Sequence, residues 1–242
     1  MPKTLPGRDH PPTAASHRPL LGVVLLSPTL KVPIKSMRRL HDSPGTTLEL
    51  LVVATGERHC AGIDLASGAL VRGWSPSRVD QRLRPYDVVQ VTVADNPDLL
   101  PDPAEPDAIV ITGPPRLTGH MAGGAARRLI RPLLHPENVP LLGFQGPTVQ
   151  FWERRPDHPS VALAEPPAPL VVTAESGPMW CHFAWGGRPQ VLPCQDPRLA
   201  ASLQRSGRRY AEMRPGTRIV VALEPPVSGY CHKVIEAVVP RR

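Results

Sequence analysis

The chain has 242 residues, 33 of them Pro and 19 Gly, only 4% aromatic, with a formal net charge of +7. Proline is shut out of helix interiors and central strands, so this composition excludes a helical bundle and favours short strands joined by many turns. The charge is not a uniform nucleic-acid footprint: residues 1–46 carry seven Lys/Arg against two Asp, and residues 47–242 are nearly balanced.

Residues 1–46 read as a Pro- and Arg-rich flexible tail. A candidate strand at 20–26 is far shorter than the ~20 apolar residues a membrane span needs. No secretory-signal pattern is visible, and the expectation is a soluble, cytoplasmic protein with no membrane association. From residue 47 the pattern sharpens. Apolar runs at 48–55, 60–65 and 70–74 read as three strands, with Ala66-Ser67-Gly68-Ala69 as a hairpin turn between the second and third. Residues 87–94 alternate and read as a fourth strand, the acidic Pro-rich stretch 95–107 as a loop, and 108–112 as a fifth strand. Residues 122–134 read as a helix with Arg127, Arg128 and Arg131 on its polar side.

The second half repeats this inventory. Strands are expected at 148–153, 170–174, 179–185 and 189–193, the last two joined by Gly186-Gly187. A helix follows over 196–206, with Asp196 as cap, Pro197 in its first turn and Gly207 after its end. Strands at 218–223 and 230–239 close the chain. The fold class expected is all-β, with one or two short helices. Residues 47–134 and 135–242 each supply about five strands and one helix, the element count of a small Greek-key barrel of the OB type. Periodicity alone leaves an SH3-like barrel or a sandwich open.

Catalytic signatures are missing. There is no nucleophile elbow, P-loop, Rossmann glycine pattern or paired-His zinc helix. Cys60, Cys181, Cys194 and Cys231 lack the short spacing of a zinc knuckle. His59/Cys60, Cys181/His182 and Cys231/His232 are adjacent pairs, and on a strand neighbouring side chains point to opposite faces. The cysteines therefore read as buried thiols, with no catalytic residue, metal ligand or cofactor assigned. What remains is binding grammar, a ring and a donor on one face of a strand: Arg72 with Trp74, Trp152 with Arg154, and Trp180 with His182. Lys233 stands apart as the only lysine beyond residue 35. Arg72 has a second reading, an ion pair with Asp64 across its hairpin.

The stretches RHCAGIDLASGALVRGWSP, LRPYDVVQVTV, HPEN (135–138), LPCQDPRLAASL and IVVALEPPVSGYCHKVIEAVV, in that order, resemble the bacterial dual-OB-domain proteins. The resemblance runs over residues 48–239. It implies two tandem OB-like barrels that bind nucleic acid or another ligand, as an accessory or sensor component of a bacterial defence system. The leading expectation is a non-catalytic module for single-stranded DNA or RNA, with a protein partner in a defence system as a further possibility. The alternative is a nucleotide or small-ligand sensor or a protein–protein adaptor. A third reading is a metal-dependent hydrolase or nuclease.

Overall fold

The computed structural model describes residues 45–80, 82–95, 105–174 and 177–239. The expected tail (but for Gly45 and Thr46), its candidate strand at 20–26 and most of the acidic loop lie outside the described residues. The described chain is mostly strand, arranged in two sheets with two short α-helices. No helix among the described residues is long and apolar enough to cross a membrane.

The first sheet holds β1 (Thr47–Thr55), β2 (His59–Asp64), β3 (Leu70–Trp74), β4 (Asp87–Thr92), β5 (Ala108–Val110) and β6 (Arg116–His120), in the order β5-β3-β2-β1-β4-β6. The β2–β3 hairpin turns where the sequence places it. Gly68 takes φ 73° there, a conformation that favours glycine. The Asp64 carboxylate accepts from the Ser67 amide at 3.0 Å and so is occupied inside its own turn. The expected Arg72–Asp64 pair does not form for that reason. All pairings are antiparallel except β3 with β5. A bridge from Val93 to Ile111, with Ala94 N–H donating to Val110 and Thr112 N–H to Thr92, links the ends of β4 and β5.

The expected helix at 122–134 is α1 (Gly123–Ile130), which runs into a 3-10 turn at Arg131–Leu133. Pro132 cannot continue the α-helical ladder. Ala126 and Ile130 are the face α1 buries.

The second sheet comprises β8 (Val161–Ala164), β9 (Val171–Thr173), β10 (Met179–Trp185), β11 (Arg188–Cys194), β12 (Tyr210–Glu212), β13 (Arg218–Leu223) and β14 (Tyr230–Val239). Its order is β12-β9-β10-β11-β14-β13-β8, and β7 (Thr148–Gln150) pairs with the start of β14. Gly186 and Gly187, at φ 56° and 71°, form the two-residue turn of the β10–β11 hairpin, the geometry that matches strand twist. β11 and β14 pair in parallel, and α2 (Pro197–Ser206) follows β11. Asp196 caps α2, its Oδ1 accepting from Arg198 and Leu199 N–H, and Gly207 ends it at φ 63°. The same Asp196 carboxylate accepts from the Val238 amide at 2.9 Å, fastening the helix to β14. Three strands, β6, β8 and β12, are absent from the sequence expectation, and one expected strand is cut short. The run at 148–153 stops at Gln150 and becomes a 3-10 turn over Phe151–Glu153.

Three apolar cores form. One lies within the first sheet around Leu50, Val71, Val89 and Ile109; another lies within the second around Cys181, Phe183, Leu192 and Ile235. The third joins them, packing Leu51, Val53 and Ile63 against Leu163, Val220 and Ala237. β1 and β13 are thus covered on both faces, which is why they read as continuous apolar runs rather than alternations.

Candidate functional site

The seven residues singled out in the sequence fall into two classes. Arg72, Arg154 and Lys233 are buried, whereas Trp152 and Trp180 are exposed and Trp74 and His182 half-buried. The buried cations are structural or internal groups, not surface clamps.

Arg72 leaves β3 and crosses to the second sheet, where its guanidinium pairs with Glu236 of β14; both are 2% exposed. A second guanidinium nitrogen donates to the Leu223 carbonyl at 2.7 Å. Trp74 lies under Arg72 with the guanidinium carbon 4.4 Å from its ring centroid, a cation–π contact. His59 Nε2 stands 2.9 Å from Glu236 Oε1, as an ion-pair contact outside hydrogen-bond alignment, with its ring 5.1 Å from that of Trp74. Burial alone would raise the Glu236 carboxyl, but Arg72 and His59 outweigh it and hold it below the usual carboxylate range. Beside this group opens a cleft of about 440 Å³ lined by Arg58, His59, Trp74, Gln195 and Glu224.

Arg154 does not share an exposed face with Trp152. The 3-10 turn rotates it inward, where it pairs with Glu105 at 3.1 Å and approaches the Phe151 ring at 5.8 Å. Trp152, 68% exposed, rests over Gly229, where an added Cβ would come 3.4 Å from the indole.

Trp180 and His182 do share one face of β10, as alternation requires, with Cys181 and Phe183 buried on the other. His182 meets Thr173 Oγ1 at 3.0 Å. Thr173 is also the register partner of both Trp180 on β10 and Tyr210 on β12. Directly paired residues project from the same side of a sheet. The two aromatic rings therefore stand on one outer face, two strand spacings apart, about 10 Å. Trp180 is 39% exposed and Tyr210 66%, and Val191, paired with His182, is exposed beside them. Arg205, Arg208 and Arg209, all exposed, lead directly into Tyr210, and no acidic residue lies between Asp196 and Glu212. Tyr210 went unread because β12 is three residues long; the SGRRY sequence (206–210) was the signal available.

Among the described residues no three His, Cys, Asp or Glu side chains gather as a metal-holding group. All four cysteines are buried free thiols, and burial pushes Cys60 up to about 12. A scan against models of protein families finds no match to this chain, and neither does a search of curated proteins.

Proposed function

We propose that the chain is a tandem OB module that binds single-stranded nucleic acid on the outer face of β12-β9-β10-β11. The observation that carries this reading is the registered pair Trp180 and Tyr210 on one exposed face, with Arg208 and Arg209 at its edge. Bases stack on exposed rings whatever their identity, and flanking cations follow the phosphates; each stacked base is worth ~1–3 kcal/mol.

Strand order supports the barrel part of the reading. An OB barrel runs its five strands as first-second-third-fifth-fourth, with the third and fifth parallel and the ring closed between fourth and first. In the first sheet β1, β2, β3, β5 and β4 take these places, and the Val93–Ile111 bridge joins fifth to fourth. In the second, β10, β11, β14 and β13 are the second, third, fifth and fourth strands, with α2 after the third. On this reading β8 and β9 share the first place, which is supported by β8 pairing with β13, β9 pairing with β10 and the Pro-rich residues 165–169 between them.

The test is fluorescence anisotropy of labelled single-stranded DNA and RNA on the full chain over a salt series. W180A and Y210A should each weaken binding by roughly five- to a hundred-fold, with the melting temperature unchanged. Equal binding by the parent and W180A/Y210A, with a salt slope that the double substitution leaves unaltered, would transfer the interaction to basic residues elsewhere and end the stacking reading.

A further inference from the structure

Lys233 is 2% exposed, and its ammonium donates to the Phe144 carbonyl. No carboxylate among the described residues lies within ion-pair distance of it. An ammonium has three donors, and an unpaired buried charge is costly. Here it forms part of the wall of a cavity of about 170 Å³.

The cavity sits on the inward side of β10 and β11. Trp185, Gln190 and Lys233 line it, and Phe144 and Gln145 close it from the connecting segment. The indole N–H of Trp185 donates to Val139 at 2.8 Å, fixing both the ring and the HPEN-containing segment that forms the rim. Two side chains of opposite charge, Glu137 and Arg188, line the mouth, and both are exposed. Behind the lining, His135 stacks on Trp185 and His158 meets the Phe144 ring edge-on. Burial lowers the pKa of His135, the Pro140 hydrogen bond opposes that shift, and the nearby Lys233 charge lowers it further. The inner wall therefore offers one cation and one primary amide, Gln190, with the exposed amides Gln145 and Asn138 at the rim and no acid inside.

We propose that this cavity is a binding site for a small tetrahedral oxyanion, a sulfate- or phosphate-sized group, held by Lys233 with Gln190 and Gln145. A free inorganic anion and the terminal phosphate of a nucleotide chain share this chemistry. A volume of about 170 Å³ accommodates a group of that size. Burial also lowers the Lys233 ammonium to about 8, so the amine is mostly charged at neutral pH and mostly neutral well above it. The site does not depend on the stacking face proposed above.

Sulfate is the discriminating probe, because it stays a dianion across the whole range and only the protein titrates. Calorimetric titration of the full chain with sodium sulfate at pH 7.0 should show one site. At pH 9.5 the affinity should fall at least tenfold. K233M should bind no sulfate at either pH, and Q190L, which keeps the amine, should bind more weakly than the parent. No binding heat at pH 7.0 up to 10-millimolar-scale sulfate (~10 mM, a limit of about −3 kcal/mol) overturns the proposal, and so does a parent affinity that ignores pH. Should K233M not fold, the pH arm on the parent chain still decides. Competition then separates the two sources. Displacement of sulfate by a 5′-phosphorylated oligonucleotide but not by its 5′-hydroxyl form supports a terminal phosphate. Displacement by neither, with sulfate and inorganic phosphate both binding, supports a free anion.

Discussion

Arg72 of β3 and Glu236 of β14 form a buried ion pair between the two sheets, 164 residues apart in the chain. It is the polar counterpart of the apolar core that joins the same sheets. Each partner has further contacts: Arg72 has the Leu223 carbonyl and the Trp74 ring, and Glu236 has His59 at 2.9 Å. Each also keeps one atom without a hydrogen-bond partner among the described residues, Arg72 Nε and Glu236 Oε2.

R72M should cost about 3–5 kcal/mol of unfolding free energy, because it leaves a buried carboxylate without its cation. R72M/E236L should recover most of that loss, and a double-mutant cycle in denaturant measures the difference. The Glu236 carboxyl is held below its unfolded value, so its contribution is complete above the unfolded pKa and is lost as pH falls through the folded one. E236Q should remove that part of the acid limb of the stability curve.

Asp107 clasps the two halves differently. Its backbone carbonyl accepts from Arg72 N–H at 2.8 Å. Its carboxylate accepts from the Ser160 and Val161 amides at 2.9 and 2.8 Å. Burial raises this carboxyl to about 6 in spite of those bonds, which lower it. The folded protein thus holds a proton that the unfolded chain has released, so this group makes stability fall as pH rises from about 4 to 6. D107N should flatten that interval and cost ~1–3 kcal/mol, since its amide nitrogen turns a donor toward another N–H. Urea titrations at pH 4.5 and 6.5 read both effects.

Lys233 carries the opposite sign. Its folded pKa, about 8, lies below the ordinary 10.5, so the unfolded chain binds the extra proton and stability rises with pH between those values. The full span is on the order of 3 kcal/mol. K233M should be more stable than the parent at pH 7, by ~1–2 kcal/mol once the lost Phe144 hydrogen bond is counted. The two stability curves should cross near pH ~9, with the parent the more stable above it.

Asp196 serves a helix and a strand with one carboxylate. D196S keeps a capping oxygen for α2 but abandons the Val238 amide, whereas D196A abandons both. Expected costs are ~1–2 kcal/mol for D196S and ~2–4 for D196A, scaling with the donors left unpaired. Chemical denaturation of both variants tests the ordering.

Much of the strand inventory was legible because it rests on local rules. The β2–β3 and β10–β11 hairpins follow from Gly68 and from Gly186-Gly187, and α2 follows from Asp196, Pro197 and Gly207. β6 was illegible: Arg116–His120 is exposed throughout and shows no apolar alternation. β8 was missed for the opposite reason, being four buried residues just ahead of a Pro-rich stretch. At the site, alternation placed Trp180 with His182 correctly. It misplaced Arg154, because a 3-10 turn replaces the strand period of two. The fates of Arg72 and Lys233 were set by partners 164 and 89 residues away, which no local pattern encodes.

The position of β14 has a consequence for synthesis. It is the last described strand, yet it lies between β11 and β13 and supplies Glu236. A ribosome adding ~5–20 residues per second takes roughly ten to thirty seconds to travel from Arg72 to its carboxylate. During that time the first sheet lacks its counter-ion and part of its apolar cover. Around Leu51 and Ile63, Ala126 and Ile130 of α1 arrive first, Leu163 of β8 next, and Val220 of β13 and Ala237 of β14 last. The nascent polypeptide therefore exposes part of this apolar surface until β13 and β14 have been made.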